Sequence, residues 1–280
     1  MVYEGGSEEP SSLFTLDQKT VHRLEPTVRR VIVADPNAAS ARLLGDIVKN
    51  LGARDIFFES DEQRVMDLAR EVEPGLIITE CAGPRLDGAG LAKRIRRSTL
   101  ACRYAPIIMV TADATATTIK GARDAGVHEF LRKPFTAADL FRRVENVALK
   151  PRDWVEAVAY VGPDRRRFNS GEYAGPRKRK ADAPKTAAQT VAAAKDQALR
   201  ILASALAQFD SDPAQAVRAV RQQAETLKTL ALKTSDARLA LAAGALETCV
   251  ASGRAGKADL IGPINALLAI SAPEPKTQAS

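Results

Sequence analysis

Gly75-Leu-Ile-Ile-Thr-Glu80-Cys-Ala-Gly-Pro84-Arg-Leu-Asp87-Gly88 decides the fold. An apolar run too short for a buried helix ends on a carboxylate, and Pro84 and Asp87-Gly88 supply turn chemistry behind it. That is a buried strand delivering one acidic side chain to its carboxyl end. Working outward, Val31-Ile-Val33, Ile56-Phe-Phe58, Ile107-Ile-Met-Val110 and Glu129-Phe-Leu131 repeat the pattern. Between and after them lie amphipathic stretches at 37–51, 62–72, 88–97, 115–125 and 137–149. The first is expected to bury Leu43, Leu44, Ile47, Val48 and Leu51, and Thr136 with Asp139 to cap the last. Five strands alternating with five helices over residues 29–150 predict an α/β domain with a parallel sheet covered on both faces.

The rest of the 280 residues divides by composition. Residues 1–28 are expected to be a flexible N-terminal tail, 151–188 a basic linker, and 272–280 a disordered tail. Residues 189–271 show four helical stripes with short connections: Val191 to Phe209, Val217 to Ala231, Leu239 to Val250, and Ile261, Ile264, Leu267 and Leu268. They predict an all-α antiparallel four-helix bundle. Three widely spaced cysteines and two histidines argue against structural zinc, and a cytoplasmic protein is expected. No apolar run reaches the ~20 residues of a membrane span. The net charge of +7 is concentrated: eight Lys/Arg face three acids between residues 160 and 190, a local surplus of +5.

In a parallel sheet, functional groups gather beyond the carboxyl ends of the strands. Asp35, Glu80, Thr111 and Lys133-Pro134 each fall at their own strand end. Carboxylates can hold a divalent cation there, while a hydroxyl and an ammonium stabilise phosphoryl oxygens.

These segments resemble the receiver domain of two-component response regulators, in Val33-Ala-Asp35, Ile77-Ile-Thr-Glu80 through Gly88, Met109-Val-Thr-Ala112 and Phe130-Leu-Arg-Lys-Pro-Phe135. The resemblance implies a five-stranded flavodoxin-like fold. It places Glu80 at the phosphoacceptor position, Thr111 and Lys133 as its companions, Phe130 as the conformation-reporting aromatic, and a cis Lys133–Pro134 bond. Two departures stand out. Ala34 occupies one of two adjacent acidic positions, leaving Asp35 as a weakened or lost metal ligand, so no cofactor is required and Mg²⁺ binding is weakened. Glu80 replaces an aspartate and carries its carboxylate about 1.5 Å further from the backbone. It either imitates some charge of a phosphorylated state or simply satisfies Lys133 in a retired site.

The helical segment is similar to a histidine phosphotransfer domain, or to the related dimerisation bundle of histidine kinases, around Ala224-Glu-Thr-Leu-Lys-Thr-Leu230, with Glu225 at the phosphohistidine position and Lys228 one turn away. Without an imidazole it cannot carry a phosphoramidate, and a plain solvated helix face is the equal alternative. The expectation is a non-enzymatic signalling adaptor or decoy, a pseudo-receiver that binds histidine kinases, phosphotransfer proteins or receivers without relaying phosphate. A homodimer is left open. One alternative is a regulator binding nucleic acid or a cyclic dinucleotide through linker anion contacts from Arg165, Arg166, Arg167, Arg177, Lys178 and Arg179. Another is a phosphorylatable regulator that tolerates Glu80.

Overall fold

A computed structural model describes residues 17–165, 186–253 and 255–270. They fall into two compact units, one of residues 17–153 with 163–165, the other of 154–162 with the residues from 186 onward. The first unit runs α1 (Gln18–Val28), β1 (Arg30–Ala34), α2 (Ala38–Asn50), β2 (Asp55–Glu59), α3 (Glu62–Val72) and β3 (Leu76–Glu80). A two-stranded ribbon of β4 (Ala82–Gly83) and β5 (Leu86–Asp87) follows, then α4 (Gly88–Arg97), β6 (Ile107–Thr111), α5 (Ala116–Asp124), β7 (Glu129–Arg132) and α6 (Ala137–Leu149). The five long strands are parallel, in the order β2-β1-β3-β6-β7. With the ribbon set aside this is the 2-1-3-4-5 order of a flavodoxin-like sheet.

Both faces of the sheet are buried, which explains the unbroken apolar runs. Val31, Val33, Leu76, Ile78, Ile108, Val110 and Leu131 pack with α1, α2 and α6 residues in one core. The alternate residues Ile32, Ile77, Ile107, Met109 and Phe130 pack with α3, α4 and α5 residues in the other. Helix starts are capped as their sequences dictate. Asn37, Asp61 and Asp87 accept backbone N–H bonds, and Thr136 with Asp139 forms a reciprocal capping box. Bonds from the Thr136 backbone, the Thr136 hydroxyl and Arg142 lower the Asp139 pKa to about 2.

Two expectations are corrected in this unit. Residues 18–28 are no tail but a sixth helix, capped by Asp17 and burying Leu24 and Val28. Its apolar spacing is real but sparse, and Pro26 inside it masks the pattern. Leu43 points outward, 53% exposed, because α2 turns Ala41, Leu44, Gly45, Ile47 and Val48 to the core instead. The α1 packing makes Gly75 indispensable: a Cβ there would lie 2.5 Å from the Thr27 carbonyl oxygen. Backbone on both sides cannot yield cheaply, so Gly75→Ala is expected to destabilise this unit by about 1–3 kcal/mol, read by chemical denaturation.

His128 is buried and satisfied. Its Nδ1 lies 3.0 Å from Arg96 Nη2 and accepts from Ile107 N–H at 3.3 Å. Arg96 is itself buried, donating to the carbonyls of Gly126, Arg103 and Ala105. Burial first, then the Arg96 and Arg152 charges, hold the His128 pKa well below its usual value. The unfolded chain therefore takes up a proton near pH 6.5 that the fold refuses. Stability contributed above that pH is lost as pH falls, by about 1 kcal/mol between pH 7.5 and 5.5. His128→Asn should flatten that part of the profile in urea titrations.

The second unit opens with a hairpin, β8 (Trp154–Glu156) and β9 (Val161–Pro163), then α7 (Ala187–Ala207), α8 (Pro213–Thr234), α9 (Ala237–Ala251) and α10 (Lys257–Ile270). Each helix packs on the next and α10 returns to α7, around one core from Ala198 and Leu202 to Ile264 and Leu267. Residues 154–162 are therefore not linker. Glu156 is buried, accepting from Gln215 Nε2 at 2.8 Å and Trp154 Nε1 at 3.0 Å, while Gln223 donates to its carbonyl at 3.3 Å. The run 154–163 is apolar apart from Glu156, but its two strands are only three residues each, too short to show a period, and the one carboxylate is buried because Gln215 and Trp154 satisfy it. The fourth stripe is shifted: Leu260 joins Ile264 and Leu267 in the core, and Ile261 is exposed. The expected tails at 1–16 and 272–280 lie outside the described residues.

Candidate functional site

Register brings the site residues to one edge. Ala34 pairs with Thr79, Glu80 with Val110 and Thr111 with Arg132, so Asp35, Glu80, Thr111 and Lys133 emerge beyond adjacent strands. Three of them meet. Lys133 Nζ donates to Glu80 Oε2 at 2.6 Å and to Asp35 Oδ2 at 3.1 Å. Burial alone would lower the Lys133 pKa, but hydrogen bonds and charge from Glu80 and Asp35 outweigh it and raise the value. Thr111 is buried at the next strand end, where its hydroxyl accepts from Asp113 N–H at 3.2 Å. Its carbonyl accepts from Lys133 N–H at 2.7 Å, and the Lys133–Pro134 bond is cis. Phe130 is 5% exposed, packed in the core that holds Met109, Ile119 and Ala122.

The remaining carboxylate oxygens are also engaged, by groups the sequence reading did not single out. Asp35 Oδ1 accepts from Asn37 N–H at 2.8 Å, and its Oδ2 takes a second bond from the Ser40 hydroxyl at 2.6 Å. Glu80 Oε1 accepts from Cys81 N–H at 2.8 Å. Ser40 was signalled only by its place in the first turn after the Asn37 cap. The side chain at Ala34 has no donor to offer, and no three His, Cys, Asp or Glu side chains are grouped to hold a metal among the described residues. Mg²⁺ demands near-ideal octahedral oxygen geometry and keeps several waters, and the carboxylates this edge offers are Asp35 and Glu80, both bonded to Lys133.

Other expected site residues are placed elsewhere. Glu225 is exposed on α8, but Lys228 does not pair with it. Lys228 Nζ instead donates to Glu247 Oε2 on α9 at 2.6 Å. Arg165 is paired rather than poised for an anionic ligand, donating to Asp124 Oδ1 at 2.9 Å. Burial alone would raise the Asp124 carboxyl, but bonds from Arg165 and Arg123 hold it below its usual value. The other linker cations, Arg166, Arg167, Arg177, Lys178 and Arg179, lie outside the described residues.

A flavodoxin-like sheet with a lysine-bridged carboxylate pair at its carboxyl edge agrees with the family comparison. Residues 31–145 match the response regulator receiver domain, and this part of the chain is such a domain. It is similar to the transcriptional regulatory protein PdtaR of Mycobacterium tuberculosis, 32% identical over 117 residues, 42% of this chain and 55% of PdtaR. It is also similar to the sensory/regulatory protein RpfC of Xanthomonas campestris, 28% identical over 132 residues, 47% of this chain and 18% of RpfC. The chain thus spans about half of one relative and under a fifth of the other. Among solved structures, the chemotaxis response regulator CheY4 of Vibrio cholerae aligns with 43% of this chain and 99% of its own. The identity is 19% and the TM-score 0.40. No helix among the described residues is long and apolar enough to cross a membrane.

Proposed function

We propose that this protein is a two-component signalling adaptor whose receiver domain docks partners without accepting or relaying phosphate. Receiver domains interact with histidine kinases and phosphotransfer proteins, and this chain keeps the fold on which such docking depends. The single observation that carries the reading is the Lys133 bridge, with Nζ 2.6 Å from Glu80 and 3.1 Å from Asp35. Phosphoryl transfer is mostly positioning and charge stabilisation around an in-line attack. Here the acceptor carboxylate is displaced by a methylene and tied to the ammonium, and the metal pocket lacks a ligand at Ala34. The buried Phe130 supports a domain held in one state. It has no hydroxyl to reward an outward position, and turning out would expose its ring to water.

The helical unit fits the same reading as a phosphotransfer-like module without its histidine, its exposed face carrying Glu225 and the Lys228–Glu247 pair. No turnover chemistry is ascribed to either unit. Incubation with acetyl phosphate and Mg²⁺ tests the proposal. The expected result is no hydroxylamine-sensitive acyl phosphate by mass spectrometry, under conditions that label an ordinary receiver. Stable label on Glu80 or Asp35 would overturn it.

A further inference from the structure

Phe58 raises a question that the receiver fold does not answer. It lies in the edge strand β2, yet the residue is 49% exposed. It nevertheless packs on α2. A Cβ on Gly45 would come within 2.5 Å of Phe58 Cζ and 2.8 Å of Cε1, so the ring rests on α2 where that helix has no side chain. A glycine inside a helix costs about 0.5–1 kcal/mol relative to alanine. The sequence accepts that cost to hold an aromatic ring half in solvent.

Beside that ring opens a cavity of about 390 Å³, lined by Asp35, Pro36, Arg42, Phe58, Glu59 and Ser60, with Ala38 and Ala41 of α2 completing the wall. Its size is within the range of small-molecule sites. Two of its polar groups are available. Glu59 Oε1 is fixed by the N–H groups of Ser60 (2.8 Å) and Asp61 (3.2 Å), which leaves Oε2 without a hydrogen-bond donor among the described residues. Arg42, on the α2 wall, makes no ion pair among them. Asp35 is already committed to Asn37, Ser40 and Lys133 and contributes wall rather than donor or acceptor.

An aromatic platform, a fixed carboxylate acceptor on the strand side and an unpaired guanidinium on the helix side call for a specific ligand. It should be planar and aromatic, with an amino group on one edge and an anion on the other. We propose that this cavity binds a purine nucleoside monophosphate. The base stacks on Phe58, its exocyclic amino group donates to Glu59 Oε2, and the phosphate meets Arg42. Stacking on an aromatic face and guanidinium–phosphate pairing are the interactions that make such ligands bind. The inference stands apart from the phosphate-transfer reading, because neither Glu80 nor a metal takes part.

Saturation-transfer NMR with the full chain and AMP tests it, with adenosine as the comparison ligand. Saturable transfer to the adenine protons is expected, weakened about five- to hundredfold in Phe58→Ala, the range for losing one base–aromatic stack, and retained in Phe58→Tyr. Arg42→Gln, an exposed substitution that leaves the core untouched, should abolish the preference for AMP over adenosine. Absence of saturable transfer to the wild-type protein would overturn the proposal. So would unchanged affinity in Phe58→Ala, or an AMP preference that survives Arg42→Gln.

Discussion

Restoring both carboxylates, Ala34→Asp together with Glu80→Asp, is expected to turn a chain that takes no label from acetyl phosphate into one that does. The wild type should show no acyl phosphate above background. Glu80→Asp alone should label weakly, and the double variant should reach a measurable, Mg²⁺-dependent stoichiometry. The argument is geometric. Shortening the acceptor draws its carboxylate back by about 1.5 Å, and a misplacement of about 1 Å can cost on the order of a hundredfold in rate. That shortening also weakens its hold on Lys133, now 2.6 Å away. Yet an acceptor alone does not rebuild the metal site, because the ion needs the second acidic side chain at the end of β1.

Ala34 is fully buried beside Thr79, so an aspartate there is stable only if it turns toward the open carboxyl edge or is neutralised by the ion. Circular dichroism and a melting curve with and without Mg²⁺ separate misfolding from failed chemistry. A natively folded double variant that still took no label would mean that more than the two carboxylates has been lost. A wild type that labels would sink the adaptor reading itself.

Much of this site is legible in the sequence. Strand ends are marked by sharp changes from apolar to polar, and Asp35, Glu80, Thr111 and Lys133 each sit on such a change. Parallel register then does the assembling, and Lys133 meets Glu80 and Asp35 across separations of 53 and 98 residues. What stayed hidden depends on contacts between distant segments. The α1 helix shows only Leu24 and Val28 as buried residues, and its place becomes clear through Gly75, whose lack of a Cβ admits the Thr27 carbonyl. The β8–β9 hairpin is apolar but for Glu156 and has strands of only three residues, and Glu156 is buried because Gln215 and Trp154 satisfy its carboxylate and Gln223 its carbonyl. Lys228 meets Glu247 on the neighbouring helix rather than Glu225 on its own. Periodicity reports the face a helix buries, not the neighbour it will meet.

Lys133→Met is expected to be the most destabilising single change at the site, by about 2–4 kcal/mol. Removing one partner of a buried ion pair typically costs about 3–5 kcal/mol, because the other charge stays buried and uncompensated. Here the ammonium bridges two carboxylates, one only 2% and the other 14% exposed at the side chain, while Lys133 itself is 24% exposed. That partial access to water lowers the expected figure. For a domain of this size the change corresponds to a fall in melting temperature on the order of 10 °C. The pH dependence follows from the raised Lys133 pKa. Stability from a lysine whose folded value is raised is fully present below its unfolded value, about 10.4, and is lost as pH rises through the folded one. The gap between wild type and variant should therefore hold steady across neutral pH and close only at strongly alkaline pH. Adding Glu80→Gln to Lys133→Met removes one of those charges and should recover part of the loss. If Lys133→Met left the melting temperature unchanged at neutral pH, the lysine would not be holding this pair. The carboxylates would then be free to serve a metal, and the case against phosphate chemistry would fail with that result.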